Sequence, residues 1–150
     1  MPPMRSVGSA GAAALLTASV ICSCAHPTTS VTTVVFDGVT HTITGKVACT
    51  AQPDGKLVIL VSENGGRKSI RVLLSRDARL VVHKVSLRYL DVAGYVADPD
   101  EVVATKVDDT YTFTGRMPPN PGDNQRHLFK IEATCDDVKS FSPPQPGIAG

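Results

Sequence analysis

Four cysteines, at positions 22, 24, 49 and 135, are the residues of this chain best suited to chemistry. The first two end a segment in which Arg5 precedes a mild apolar stretch, residues 11–21, as in a secretory signal peptide. A bacterial lipoprotein signal is cut before a cysteine that has a small residue at −1 and an aliphatic residue at −3. Cys24 has Ser23 and Ile21 there, whereas Cys22 would have the large Ile21 at −1. The pattern predicts lipidation of Cys24, and a conventional secretory leader is the alternative.

The other two cysteines, Cys49 and Cys135, fit a single disulfide. An exported protein enters an oxidising compartment, where two leftover thiols usually pair. Two buried free thiols are the alternative. The period-two pattern places Cys49 on the apolar face of its predicted strand with Ile43, and Cys135 on that of its own strand with Ile131. A bridge closing so long a loop would contribute about 4–5 kcal/mol to stability.

The remaining residues show no catalytic or metal-binding pattern. The four histidines, at positions 26, 41, 83 and 127, lack the spacing of metal ligands, and most carboxylates lie in predicted turns, which favour Asp. The chain has no Gly-x-Ser-x-Gly motif, and its net charge of +1 argues against nucleic acid as a partner. We expect no enzyme, no cofactor and no metal. An enzyme would need a polar cluster around His83 or His127.

A basic segment is the one charge pattern of note. Between positions 67 and 88, seven basic residues stand against a single acid, Asp77. Such a region could lie against anionic lipid head groups or acidic glycans. The interpretation that we favour is that these charges face outward on alternating strands and screen one another. The residues of this predicted anionic-surface patch are Arg67, Lys68, Arg71, Arg76, Arg79, Lys84 and Arg88.

A β domain must position these residues. Aromatic residues make up only 5% of the chain and Trp is absent, so the core must be built from Val, Leu and Ile. Hairpin signals at Asp37-Gly38, Glu63–Gly66 and Asp108-Asp109 separate runs rich in β-branched residues, and no long stretch shows the helical period. We predict an all-β fold, a small antiparallel β-sandwich or open barrel closed by one disulfide. No apolar run reaches the length of a membrane span.

The composition divides the chain into four parts. Residues 1–23 are the predicted lipoprotein signal peptide, and residues 24–33 are a lipidated N-terminus with a Thr-rich tether. Residues 34–138 form the β domain, which is small enough that its core would be marginal without a crosslink. Residues 139–150, rich in Pro, are predicted to be a disordered tail.

An ordered set of short segments resembles a known family. The segments are Val35–Gly38, Thr44–Cys49, Ala104–Lys106, Tyr111–Gly115 and Phe129–Cys135. Together with the leader they resemble the LpqH-like lipoprotein antigen family of mycobacteria, over about residues 34–136. The resemblance implies a surface-exposed envelope antigen without enzymatic activity, whose acylated N-terminus is sensed by Toll-like receptors. It places the lipid on Cys24 and pairs Cys49 with Cys135, although the linker is shorter than is typical of the family.

The function expected from these observations is that of a non-enzymatic cell-envelope lipoprotein. A covalent lipid on Cys24 would hold the exported chain on the outer side of the cell membrane or envelope, with host receptors as partners. The alternative is a carrier of envelope lipid or glycolipid, which requires an apolar cavity lined by Val, Leu and Ile.

Overall fold

The computed structural model describes residues 29–118, 122 and 124–143. They form ten β-strands and one short 3-10 helix. The strands are β1 (Ser30–Phe36), β2 (Val39–Ala51), β3 (Lys56–Ser62), β4 (Lys68–Arg76), β5 (Leu80–Tyr89), β6 (Val92–Val96), β7 (Val102–Val107), β8 (Thr110–Met117), β9 (His127–Thr134) and β10 (Val138–Ser140), and the 3-10 helix is Pro99–Glu101. The predicted signal peptide and Cys24 lie outside the described residues.

The strands form one open sheet in the order β6-β5-β4-β3-β2-β1-β9-β8-β7, with β10 beside β2. Neighbours along this order are antiparallel, and only the short β10 runs parallel to its partner. The sheet does not close into a barrel, but it curls so that β5 meets β7 and β6 meets β8. The predicted all-β antiparallel fold is confirmed, and it takes the form of an open sheet folded over one core.

The long strand β2 divides this sheet into two halves. Its first part, Val39–Gly45, pairs with β1, and its second part, Lys46–Ala51, pairs with β3. A Cβ atom at Gly45 would stand 2.1 Å from the carbonyl oxygen of Ser62, so the backbones approach too closely for any side chain. We call β1, β7, β8, β9 and the first part of β2 half A. The second part of β2 with β3, β4, β5 and β6 is half B.

The hairpin turns lie where the sequence places them. Asp37 and Gly38 join β1 to β2 with φ values of 47° and 81°, the double positive φ of the type I′ turn that Asp-Gly favours. Glu63–Gly66 lies between β3 and β4, and Asp108, with φ 51°, begins the turn between β7 and β8. The sequence prediction omits β6, because Ala93-Gly94 interrupts its β-branched pattern.

The core is formed by the inward strand faces of both halves. It is mainly aliphatic, as the composition requires, and half A adds the enclosed rings of Tyr111 and Phe113. Alternation is regular in β3, where Leu57, Ile59 and Val61 are each fully buried. The two halves therefore bury one continuous apolar layer, which is the largest favourable contribution to folding.

The predicted disulfide between Cys49 and Cys135 is confirmed. The two residues are only 3% and 4% exposed, and their Cα atoms are 5.8 Å apart. The bridge joins the chain just after β9, in half A, to the second part of β2, in half B, across 86 positions of sequence. It therefore ties the two halves together through the core.

The sheet begins before residue 34, the predicted start of the β domain. β1 begins at Ser30, and Thr32 within it is fully buried opposite Ile43. Residues 30–33 therefore belong to the sheet and not to the tether. Their Thr content suggests a linker, but β-branched Thr also suits a half-buried strand, and pairing with β2 decides between the two.

The sheet also continues past residue 138, the predicted end of the domain. β10 extends to Ser140, and the N–H of Phe141 donates to the carbonyl of Ala51 over 2.9 Å. The disulfide explains this pairing, because it brings the chain after Cys135 beside the edge of β2 that β1 does not cover. Residues 144–150 of the predicted tail lie outside the described residues.

Replacing both Cys49 and Cys135 by Ala is expected to lower the free energy of unfolding by about 2–5 kcal/mol, since the closed loop is long. Urea denaturation followed by far-UV circular dichroism measures this loss. Reduction of the unaltered chain is the control, because it opens the crosslink without removing the buried sulfur atoms. Unfolding midpoints unchanged by both treatments would contradict a stabilising role.

Candidate functional site

Half B carries a group of cations on its outer face. Cross-strand partners in an antiparallel sheet share a face, and Arg71 pairs with Ser86 while Arg88 pairs with Ser69. Lys84 pairs with Leu73 and therefore points to the same side. All three cations are exposed. The structure thus brings together three of the seven residues of the predicted patch.

The other four residues of the predicted patch lie elsewhere. Lys68 begins β4 on the inward phase, with its Nζ 3.0 Å from Glu63 Oε1 and 5.2 Å from the centre of the Tyr89 ring. This lysine is held by the protein itself and is not free to bind a ligand. The remaining three border turns, Arg67 before β4 and Arg76 and Arg79 around the β4–β5 connection.

Two further cations join the outer face from distant parts of the sequence. Lys46 pairs with Ser62 and stands in the cross-strand row that continues through β4 to Arg88. Lys139 of β10 pairs with Thr50, in the row that ends at Lys84. Period-two alternation indicates that each residue points outward, but only the strand order places them on one surface.

Two exposed apolar side chains lie among these cations. Tyr95 pairs with Ser86, is 50% exposed, and has the Nζ of Lys84 5.4 Å from its ring centre. Leu60 pairs with Arg71 and is 41% exposed. We define the basic face by these side chains, which are Lys46, Leu60, Arg71, Lys84, Arg88, Tyr95 and Lys139.

The basic face has no acidic residue at the outward strand positions of half B. The nearest acids in sequence lie in turns or connections, namely Asp54, Glu63, Asp77, Asp91, Asp98, Asp136 and Asp137. Half A differs, because its outward positions are mostly Thr and Val, and Lys130 there pairs with Glu132 over 2.7 Å. The cations at the outward positions of half B have no acidic neighbours on their own strands that would screen them.

An apolar groove opens between the β1–β2 hairpin and the β5–β6 turn. Its volume is about 280 Å³, and the rings of His41 and Tyr89 stand 4.6 Å apart in its wall. This volume lies just below the range of about 300–1,000 Å³ that is typical of ligand pockets. The lining residues are Val34, Phe36, His41, Tyr89, Leu90, Asp91 and Val92.

The histidines singled out by the sequence make structural contacts. His83 Nε2 is hydrogen-bonded to Ser75 Oγ over 3.0 Å, as expected of a half-buried histidine. His127 stacks on Phe36, with 4.9 Å between ring centres, and its Nδ1 donates to the carboxylate of Asp37. The structure therefore does not bring His83 and His127 into one polar cluster.

Three turn carboxylates, those of Asp37, Asp54 and Asp98, accept backbone N–H groups. Asp37 Oδ1 accepts the N–H of Leu128 over 3.1 Å, and Asp98 Oδ1 accepts the N–H of Asp100 over 3.0 Å. Hydrogen bonds from Lys56 lower the pKa of Asp54. Within the described ranges, no group of three or more His, Cys, Asp or Glu could hold a metal ion. No helix there is long and apolar enough to cross a bilayer.

Comparison with known families gives one result that covers most of the chain. Residues 11–135 match the model of the family described as Mycobacterium 19 kDa lipoprotein antigen. The match runs from the apolar part of the predicted leader to the second cysteine of the disulfide, and it includes Cys24. A search of curated proteins found no match.

Lys68→Gln is expected to destabilise the fold by about 1 kcal/mol, because it removes a half-buried ion pair and a cation–π contact. Arg71→Gln, on the basic face, is the matched control and should change stability by less than about 0.5 kcal/mol. Thermal denaturation of the two variants tests whether Lys68 stabilises the fold and Arg71 does not. Equal losses in both variants would contradict it.

Proposed function

The chain belongs to the Mycobacterium 19 kDa lipoprotein antigen family, and on that premise we propose that it is a non-enzymatic envelope lipoprotein anchored through Cys24. The family implies an exported protein that is lipid-anchored in the cell envelope. In the proposed arrangement, residues 1–23 are removed as a signal peptide, acyl chains such as palmitate are attached at Cys24, and the β domain stands on the outer side of the membrane.

The family match carries this proposal, because its span includes the leader cysteine together with the domain as far as the second cysteine of the disulfide. The buried bridge between Cys49 and Cys135 supports export, since such a bond persists in oxidising compartments. One acyl chain binds a membrane only marginally, so stable anchoring needs two or more chains on Cys24.

The proposed role in the host lies in the acylated N-terminus. Toll-like receptors would sense the acyl chains on Cys24 and the first residues after it, while the β domain is displayed as the antigen. The contacts within the described domain support this division, because His83, His127 and Asp37 are each engaged in local structure.

A second candidate function is that of a carrier for envelope lipid or glycolipid. The apolar groove supports it, since Val34, Phe36 and Val92 would contact a hydrocarbon chain. Its volume of about 280 Å³ suits part of a ligand and not a whole lipid, so the carrier is the secondary proposal.

Cys24→Ser is expected to abolish membrane anchoring, because the hydroxyl cannot receive the thioether-linked lipid. Cys22→Ser is the matched control and should stay anchored. Detergent phase partition of chains made in a mycobacterial host measures the anchor, and intact mass should equal residues 24–150 plus acyl chains. If only the Cys22→Ser chain lost the anchor, the lipidated residue would be Cys22 and not Cys24.

The same two variants test the receptor role. Reporter cells that express Toll-like receptors should respond to the unaltered chain and to Cys22→Ser, and not to Cys24→Ser. An equal response to Cys24→Ser would show that the host recognises the β domain and not the lipid.

Val92→Trp is expected to block the groove and to weaken binding of a fluorescent fatty acid by at least about tenfold, which corresponds to about 1.4 kcal/mol. Val103→Trp, at an exposed position of half A, is the control and should bind as the unaltered chain does. Fluorescence titration measures both. The carrier function fails if the unaltered chain binds no fatty acid.

A further inference from the structure

We propose that the basic face is a docking surface for an anionic lipid membrane, so that the tethered β domain lies with half B against the bilayer. This inference rests on the proposed anchor at Cys24 and goes beyond it, because an anchor alone does not orient the domain. The orientation would follow from which outer face carries the charge.

Charge is the first argument. The basic face presents five cations, Lys46, Arg71, Lys84, Arg88 and Lys139, without an acid at the outward strand positions among them. A cation close to an anionic lipid surface strengthens binding roughly fivefold. The outer face of half A carries a smaller excess, because Lys130 is paired with Glu132 there and Arg116 contributes one further cation. An anionic surface would therefore prefer half B.

The side chains between the cations suit a bilayer interface. Tyr95 and Leu60 are 50% and 41% exposed, and they lie in the cross-strand row that also contains Arg71. Tyrosine favours the head-group level of membranes, where its ring is partly desolvated and its hydroxyl stays hydrated. Lys84 lies over the Tyr95 ring, so both can contact the same head-group layer.

The length of the tether keeps this face within reach of the membrane. Cys24 is six positions before Ser30, and six extended residues span at most about 20 Å. Ser30 pairs with Gly45, whose neighbour Lys46 begins the basic row through Arg88. The tether therefore enters the domain beside the basic face. Since charges act over only about 8 Å at physiological salt, this proximity is what makes their attraction effective.

A soluble acidic glycan could also meet these cations, but the membrane is the occupant that we propose. The anchor would place a bilayer next to Ser30 at all times, whereas a glycan would have to bind from solution. The local concentration of lipid head groups would thus exceed that of any free ligand.

The absence of Trp from the chain allows a direct test. Tyr95→Trp places a single fluorophore on the basic face, and Val103→Trp places one on the outer face of half A, at a position 63% exposed. The acylated full chains are reconstituted into vesicles that contain brominated lipids, either phosphatidylglycerol or phosphatidylcholine. We expect the Tyr95→Trp chain to be quenched only in phosphatidylglycerol vesicles and to lose this quenching at high salt. The Val103→Trp chain should be unquenched throughout.

Charge variants test whether the cations of half B hold the domain against the membrane. Arg71→Gln with Arg88→Gln, in the Tyr95→Trp chain, should lower the ratio of docked to undocked domain by about 25-fold, from two roughly fivefold contributions. Arg116→Gln with Lys130→Gln changes net charge equally from half A and should leave that ratio unchanged. An equal effect of both double variants would overturn the assignment to half B.

Other outcomes separate the docking face from the anchor. Chains that float with the vesicles while the Tyr95→Trp fluorophore is unquenched, or while both fluorophores are quenched alike, overturn docking and leave the anchor intact. If the chain is retained only by phosphatidylglycerol vesicles, the result supports docking of the basic face and contradicts the anchor. If neither kind of vesicle retains the chain, both docking and the anchor are overturned. If an acidic polysaccharide shifts the emission of the Tyr95→Trp chain and vesicles do not, the basic face is a glycan-binding surface and not a membrane-docking one.

Discussion

The two halves of the sheet share one strand, and β2 can pass between them because position 45 has no side chain. A Cβ at Gly45 would stand 2.1 Å from the carbonyl oxygen of Ser62, so this close backbone approach excludes every other residue type unless the strands move apart. β1 pairs with β2 only as far as Gly45, which leaves the later edge of β2 free. Three other features depend on this geometry, namely the entry of the chain at Ser30, the position of Cys49 and the docking of β10.

The disulfide then makes the folded arrangement hard to open. A domain of this size, with few aromatic residues, buries little apolar surface for the chain entropy that it must overcome. The bond between Cys49 and Cys135 restricts the unfolded chain and also aligns the segment that follows β9 with the free edge of β2. Stability therefore comes from the core and the crosslink. The side chains on the outer faces of the sheet can differ between the two halves without loss of the fold. The outer face of half A is Thr-rich and nearly neutral, and that of half B is basic.

A stable core with two outer faces of different charge fits a lipoprotein antigen. The histidines and turn carboxylates do not form one cluster in the described part of the chain, and His83, His127, Asp37 and Asp98 are engaged in local hydrogen bonds. Such a domain offers surfaces, and the proposed tether, which would enter beside Lys46, would determine which of them is nearest to the envelope. If half B faces the bilayer, the Thr-rich face of half A, including Val103, is the one exposed to antibodies and partners. The anchor and the domain would then act together, because the lipid supplies affinity and the charges supply orientation.

Local patterns were enough to predict the strands other than β6 and β10, the turns at Asp37-Gly38 and Asp108-Asp109, and the inward direction of Cys49 and Cys135, because each depends on neighbours within a few residues. The leader pattern that suggests lipidation of Cys24 is local in the same sense. The ends of the domain did not follow from local patterns, since residues 30–33 and β10 are placed in the sheet by their pairing with β2. The basic face was visible only in part. Arg71, Lys84 and Arg88 belong to one segment, but Lys46, Tyr95 and Lys139 join them through strand order, and Lys68 is removed by its contact with Glu63. Sequence alone determined which way each side chain points along its strand, and tertiary structure decided which side chains stand together, because cross-strand neighbours are set by pairing over long distances in the chain.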